Sequence, residues 1–131
     1  MNLGENAKSA LISRSFAEMT RYAKKFKADK NTLFGLSGLG DLILTCSSKN
    51  SRNTQFGIKL ASSKYDNFLD LLKSQEVTEG YYTVKAVYNI SQKKNIDMPI
   101  MESVYNILYK QHDLKEELSN LLSRPITEEK I

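Results

Sequence analysis

The residues best suited to chemistry in this 131-residue chain lie close together, in Gly35-Leu36-Ser37-Gly38-Leu39-Gly40-Asp41-Leu42-Ile43-Leu44-Thr45-Cys46-Ser47-Ser48-Lys49-Asn50-Ser51-Arg52-Asn53. Three of the six glycines open the stretch. A carboxylate, several hydroxyls, a guanidinium and an amide follow. Ser51, Arg52 and Asn53 stand where a helix can begin. Free backbone N–H groups, the positive end of the helix dipole and a guanidinium would then converge on an anion such as a phosphate. Asp41, Thr45, Ser48 and Arg52 recur at i, i+4, i+7 and i+11, which is one stripe of a helix that runs on without a break. The opposite side carries Leu42, Ile43, Leu44 and Cys46. A buried carboxylate needs a partner, and Arg52, a residue elsewhere or a ligand could serve. A second reading stands beside this one: Asp41 and Ser51 as helix caps, with Thr45 bonded back to its own turn.

The glycines do not make a nucleotide loop. Their order is G-x-x-G-x-G, no strand precedes them, and no Gly-Lys-Ser/Thr follows. Glycine permits positive φ and close backbone approach, so a tight turn feeding a closely packed helix is expected.

The elements that must position these residues read as helices. Ala7 to Lys27 places Ile12, Phe16, Met19, Ala23 and Phe26 on one face, with Lys24, Lys25 and Lys27 in the last turn, where cations suit the dipole. Asp29 to Thr32 reads as a polar turn. Further helices are expected over Leu39–Ser47, over Ser51–Ser62 with Asn50 or Ser51 as cap, over Asn67–Lys73, and from Thr78 or Glu79 to Lys94 with Val84, Val87 and Tyr88 facing inward. Met98-Pro99 stops one helix and starts the next, which carries Ile100, Val104, Ile107 and Leu108. Asp113 caps the last, whose face is Leu114, Leu118, Leu121 and Leu122. Arg124-Pro125 ends it, leaving residues 125–131 as a frayed tail. No alternating strand pattern is present. The expected fold is all-α, a compact bundle of about six or seven helices forming one domain over residues 1–131.

Apolar residues make up 40% and charged residues 26%, an ordinary globular composition. No apolar run approaches the length of a membrane span, and no basic leader precedes an apolar core at the N-terminus. A single cysteine fits a reducing compartment, so a cytoplasmic location is expected. The net charge is +4, and the first half of the chain carries the basic excess. A basic half suits an anionic partner, either nucleic acid or a phosphorylated small molecule.

Gly38-Leu39-Gly40-Asp41-Leu42, Thr45-Cys46, Ser48 and Ser51-Arg52-Asn53 resemble the signature of bacterial-type NAD(P)-dependent glycerol-3-phosphate dehydrogenases. Three further stretches resemble the same family in the right order: Gly4 with Asn6-Ala7-Lys8, Ala10-Leu11-Ile12, Arg14 and Ala17-Glu18-Met19; then Glu79-Gly80-Tyr81; then Met98-Pro99-Ile100 with Val104-Tyr105 and Leu108-Tyr109. The resemblance covers most of residues 3–124 and concerns the family's all-helical C-terminal substrate domain, similar in fold to the C-terminal domain of 6-phosphogluconate dehydrogenase. It implies hydride transfer between NAD(P)H and dihydroxyacetone phosphate, giving sn-glycerol 3-phosphate for phospholipid synthesis. Asp41 matches the carboxylate that contacts substrate and holds the catalytic lysine, and Thr45 a neighbouring substrate-site hydroxyl. Ser51, Arg52 and Asn53 match the triplet that grips the substrate phosphate, with Arg52 reaching the cofactor. Val77 and Glu79 match positions that line NAD or NADP from the substrate-domain side.

The family's catalytic lysine and its glycine-rich cofactor loop lie upstream of anything in this chain, and Lys8 matches a different position. The expected partners are therefore glycerol 3-phosphate or dihydroxyacetone phosphate and a separate Rossmann domain. No dehydrogenase activity is expected from the chain alone. Its origin is expected to be an excised domain, a truncated gene product or half of a split enzyme. Self-association into a homo-oligomer is expected through any apolar surface left bare. The competing readings are a basic helical module for nucleic acid or protein, and a folded remnant without function. Aromatic-basic interleaving and a recognition-helix pattern are both lacking, which argues against nucleic acid. His112 reads as a solvated loop residue, Cys46 as a small core residue, the lysines of 24–30 as a solvated helix end, and no metal site is expected.

Overall fold

The computed structural model describes residues 4–62, 68–73 and 78–125. These residues form helices and turns without a strand. The α-helices are α1 (Glu5–Lys25), α2 (Lys30–Phe34), α3 (Asp41–Ser47), α4 (Arg52–Ser62), α5 (Phe68–Lys73), α6 (Glu79–Lys94), α7 (Pro99–Lys110) and α8 (Leu114–Ser123), with a π-helical turn over Leu36–Gly40. Each of the seven helices expected from the sequence has a counterpart. The short α2 is an addition: Asp29, read as part of a turn, accepts the Asn31 N–H at 2.8 Å and caps it. Asn67 and residues 126–131 lie outside the described residues.

The caps follow the sequence. Asp113 accepts the Lys115 and Glu116 N–H groups at 3.0 and 2.9 Å. Pro99 opens α7, where its fixed φ and absent N–H cost nothing. Asn95 takes a left-handed conformation (φ 51°) after α6, and the Ile96 N–H returns to the Ser91 carbonyl at 2.9 Å.

One core forms around Phe56 of α4 and Leu108 of α7, with Leu60, Leu71, Leu72, Tyr81, Val84, Val104 and Tyr109 against them. Phe16 and Ala23 of α1 are buried as expected, but Phe26 is not. It falls just beyond the end of α1 and is 47% exposed, with Lys94 over its ring at 5.4 Å and Tyr22 beside it at 4.9 Å. Leu122 is likewise exposed.

Three polar residues of α1, Arg14, Glu18 and Arg21, stand at i, i+4 and i+7 and fasten the bundle. Glu18 is buried. Its two carboxylate oxygens accept the Ile100 and Met101 N–H groups at 2.6 and 3.1 Å, so a carboxylate from one helix caps the positive end of another. Burial pushes the Glu18 carboxyl up; the two backbone bonds and Arg21 oppose this without cancelling it. Arg14 donates to the Leu121 carbonyl at 2.7 Å, at the negative end of α8. Arg21 donates to the Asp97 carbonyl at 2.7 Å.

His112 is exposed in the loop after α7, as expected, and also shares a 2.7 Å hydrogen bond with buried Glu117, which accepts from Asn106 Nδ2 at 3.2 Å as well. Burial pushes the Glu117 carboxyl up, but hydrogen bonds from Ser103, His112 and Asn106 outweigh it and hold the group below its ordinary value.

Candidate functional site

Gly38 sets the approach to the candidate site. It is buried, and a Cβ there would overlap the backbone of Leu33, falling 2.7 Å from its Cα. None of the described glycines has a positive φ, so the requirement is close approach rather than an unusual conformation. The Gly38 and Gly40 N–H groups both return to the Gly35 carbonyl at 3.2 Å, and the π-helical turn runs directly into α3.

Asp41 is the first residue of α3 and is exposed; Thr45, one turn on, is half-buried. The stripe expected to run from Asp41 to Arg52 does not exist as one helix. α3 ends at Ser47, and Ser48 is extended (ψ 121°). The Ser48 hydroxyl accepts the Asn50 N–H at 3.2 Å and its carbonyl accepts the Ser51 N–H at 3.2 Å. That local alternative to the helical ladder turns the chain. The apolar side of α3 is not buried either. Ile43 is 46% and Leu44 67% exposed, and Cys46 is half-buried. Burial raises the Cys46 thiol, opposed by the charge of nearby Lys8.

Two tertiary contacts restore the proximity that the broken helix loses. The Thr54 hydroxyl donates to the Thr45 carbonyl at 3.0 Å and ties α4 to the end of α3. The Ser51 hydroxyl accepts the Thr54 N–H at 3.4 Å, so the capping role is real. This leaves the N–H groups of Arg52 and Asn53 as outward first-turn donors. Arg52 and Asn53 are exposed and Ser51 is half-buried. Among the described residues, neither Asp41 nor Arg52 has an ion-pair partner.

The second contact joins α4 to α6. A Cβ on Gly80 would lie 2.6 Å from Asn53 Oδ1, so glycine at this position is what lets the Asn53 amide close on the first turn of α6. Glu79, exposed, is next to it. Tyr109 of α7 holds that turn from below, donating its hydroxyl to the Tyr81 carbonyl at 2.7 Å. Burial, with the neighbouring tyrosines, pushes the Tyr109 phenol up to about 12. Tyr109 belongs to a row of stacked rings: Tyr88 on Tyr105 at 3.8 Å, Tyr105 on Tyr109 at 5.0 Å, and Tyr109 on Tyr81 at 4.7 Å.

The structure therefore brings Thr45, Ser51, Arg52, Asn53 and Glu79 to neighbouring helix ends, with Asp41 one turn from Thr45. Val77 lies outside the described residues. Thr54, Gly80 and Tyr109 were missed as supports. The signal for Thr54 was its place three residues after the Ser51 cap; the other two gave none beyond their position in family-like stretches.

A nicotinamide cofactor fits these residues only along one edge. The exposed Arg52 guanidinium and the start of α4 suit a phosphate group. The apolar groove of about 310 Å³ lies elsewhere, between α1, α4, α7 and α8. No group of metal-ligating side chains occurs among the described residues, and no described helix is long and apolar enough to cross a membrane.

Residues 1–119 match the family described as NAD-dependent glycerol-3-phosphate dehydrogenase C-terminus. Glycerol-3-phosphate dehydrogenase [NAD(P)+] of Staphylococcus carnosus is 43% identical over 125 residues, covering 95% of this chain and 37% of the relative. That of Ligilactobacillus salivarius is 45% identical over 130 residues, covering 98% and 38%. The crystal structure of glycerol-3-phosphate dehydrogenase from Coxiella burnetii superposes with a TM-score of 0.83 at 37% identity, over 92% of this chain and 37% of that one. The chain thus spans under two-fifths of the length of these relatives. On this match, over nearly its whole length, the chain belongs to the C-terminal domain family of the NAD-dependent glycerol-3-phosphate dehydrogenases.

Proposed function

We propose that this chain, as a single helical domain, forms the substrate side of an NAD(P)-dependent glycerol-3-phosphate dehydrogenase. In this reading the first turn of α4 holds the phosphate of glycerol 3-phosphate or dihydroxyacetone phosphate. The Arg52 guanidinium supplies the charge, the Arg52 and Asn53 N–H groups supply dipole-aligned donors, and the Ser51 hydroxyl adds a third contact. Asp41 and Thr45 face the carbon end, Asp41 orienting the proton donor of the complete enzyme. Glu79, with Val77, borders the cofactor, which supplies or accepts the hydride when bound. A cytoplasmic location and the absence of a nucleic-acid partner belong to the same reading.

The observation that carries it is the meeting of α4 and α6 at Asn53 and Gly80. It joins the phosphate-binding triplet to the Glu79-Gly80 turn, two segments that the family resemblance alone had paired.

The test is an amide chemical-shift titration of the purified 131-residue chain with glycerol 3-phosphate, and with glycerol as control. Shifts should be confined to residues 41–54 and 78–81, be absent with glycerol, and disappear in Arg52→Ala. No NADH oxidation with dihydroxyacetone phosphate is expected, and turnover by the chain alone would refute that part. Shifts centred on the lysines of 24–30, with steeply salt-dependent polynucleotide binding indifferent to Asp41→Ala, would establish the nucleic-acid reading instead.

A further inference from the structure

We infer that the end of the bundle at which α1 and α6 stop is a docking surface for a bilayer rich in anionic phospholipid.

The two helices terminate side by side with the same kind of cap. After α1, Lys27 takes φ 57°; its N–H returns to the Lys24 carbonyl at 3.1 Å and the Ala28 N–H to the Ala23 carbonyl at 3.0 Å. After α6, Asn95 takes φ 51°; its N–H returns to the Gln92 carbonyl at 3.3 Å and the Ile96 N–H to that of Ser91 at 2.9 Å. The Lys94 ammonium, 5.4 Å from the centre of the Phe26 ring, joins the two ends. Lys24, Lys25, Lys27, Lys30, Lys93 and Lys94 are all exposed. The acids nearby are engaged or set back. Asp29 caps α2, Asp97 lies between Arg21 and Arg124 at 3.8 and 3.9 Å, and Glu102 stands a turn into α7.

The helix dipole accounts for four of these lysines. Lys24, Lys25, Lys93 and Lys94 occupy last turns, where a cation suits the negative end. It does not account for the other two. Lys27 holds a left-handed position at which glycine is the usual residue and a side chain is strained. Lys30 opens α2, where a cation meets the positive end of the dipole. Phe26 stands among these amines with 47% of its surface exposed. Cations around an exposed aromatic ring suit a membrane surface: the amines reach lipid phosphates while the ring enters the headgroup boundary. A nucleic acid is served less well. Bases stack on open ring faces, whereas Lys94 covers one face of Phe26 and Tyr22 is tilted against the ring at 4.9 Å. The surface also lies about 22 Å along α6 from Glu79, so a bilayer there leaves the helix ends around Asn53 and Gly80 open.

The test is cosedimentation of the 131-residue chain with vesicles of equimolar phosphatidylglycerol and phosphatidylcholine, and with vesicles of phosphatidylcholine alone. Binding is expected to the first and not to the second, and it should fall at least tenfold when salt screens the charges. The chain has no tryptophan, so Phe26→Trp supplies a single reporter whose emission should move to the blue on the anionic vesicles. Lys27→Glu should weaken the partition at least fivefold. Lys115→Glu, the same charge change at an exposed position where α8 begins, should weaken it less than twofold. Lys27→Gly should raise the melting temperature and still weaken binding, which separates lost charge from lost fold. Absence of binding, equal binding to both kinds of vesicle, or equal losses in Lys27→Glu and Lys115→Glu would overturn the inference. So would a reporter that responds to oligothymidylate and not to the vesicles, because the surface would then serve nucleic acid. No glycerol 3-phosphate enters these measurements, so their failure leaves the phosphate-site reading untouched.

Discussion

The Asn53 side-chain amide occupies the space that a Cβ on Gly80 would need, with Oδ1 2.6 Å from that position. Asn53 opens α4 and Gly80 opens α6, so this single approach fixes the relation between the two helix ends of the candidate site.

Gly80→Ala should therefore separate binding from stability. Alanine favours a helix over glycine by roughly 0.5–1 kcal/mol, so the melting temperature should hold or rise slightly. The methyl group displaces the Asn53 amide, and glycerol 3-phosphate binding should weaken about tenfold. A calorimetric titration and a thermal melt on the same preparation measure both. Equal losses in both would mean that the contact is only a packing constraint.

Gly38→Ala should behave differently. Its Cβ meets the Leu33 backbone rather than a side-chain tip, so nothing can swing away. Overpacking of this kind costs roughly 1–3 kcal/mol, and a urea titration should place the loss at the upper end.

Glu18 and Glu117 should give the stability curve two opposite acid slopes. The Glu117 carboxyl lies below its ordinary 4.5 in the folded state. Its contribution is present above that value and is lost as the pH falls through the folded pKa. The Glu18 carboxyl lies above 4.5. Its contribution is complete below 4.5 and diminishes as the pH rises through the folded pKa. Melting temperatures from pH 3 to 7 should show Glu117→Gln removing the loss at the acid end and Glu18→Gln removing the decline on the other side. Glu18→Ala, which leaves the Ile100 and Met101 N–H groups buried without an acceptor, should cost roughly 2–3 kcal/mol near neutral pH.

Tyr109→Phe keeps the stacked ring and removes the bond to the Tyr81 carbonyl. The expected loss is about 1 kcal/mol. In an alkaline absorbance titration, the phenolate step at about 12 should vanish.

The longer helices were legible because they have enough turns for a 3.6-residue period to show, and because Pro99 and Asp113 are chemically suited to helix starts. α2 was not, since Lys30–Phe34 is barely one turn and has no period to read. The break at Ser48 was hidden for another reason: a side chain competing with the backbone for one N–H leaves no trace in spacing. The triplet Ser51-Arg52-Asn53 stood out by residue type, but its neighbour Gly80 did not, because a glycine reports only that something is close. Glu18 escaped because it binds backbone N–H groups, which every helix offers, and Glu117 because its partners Ser103, Asn106 and His112 come from α7 and the loop after it. Ile43 and Leu44 read as interior residues by type yet are exposed, because residue type alone does not report which face of a short helix meets the bundle.

The fastening of α1 has a consequence for synthesis. Arg14 and Glu18 reach partners 107 and 82 residues further along the chain. While the protein emerges from the ribosome, α1 is made well before the groups that hold it. Until Asp97, Ile100 and Met101 leave the exit tunnel, Arg21 and Glu18 are without these partners, and Arg14 waits longer still, for Leu121. Closure is thus a late event in synthesis, and a product ending before α8 would keep α1 without the acceptor for Arg14.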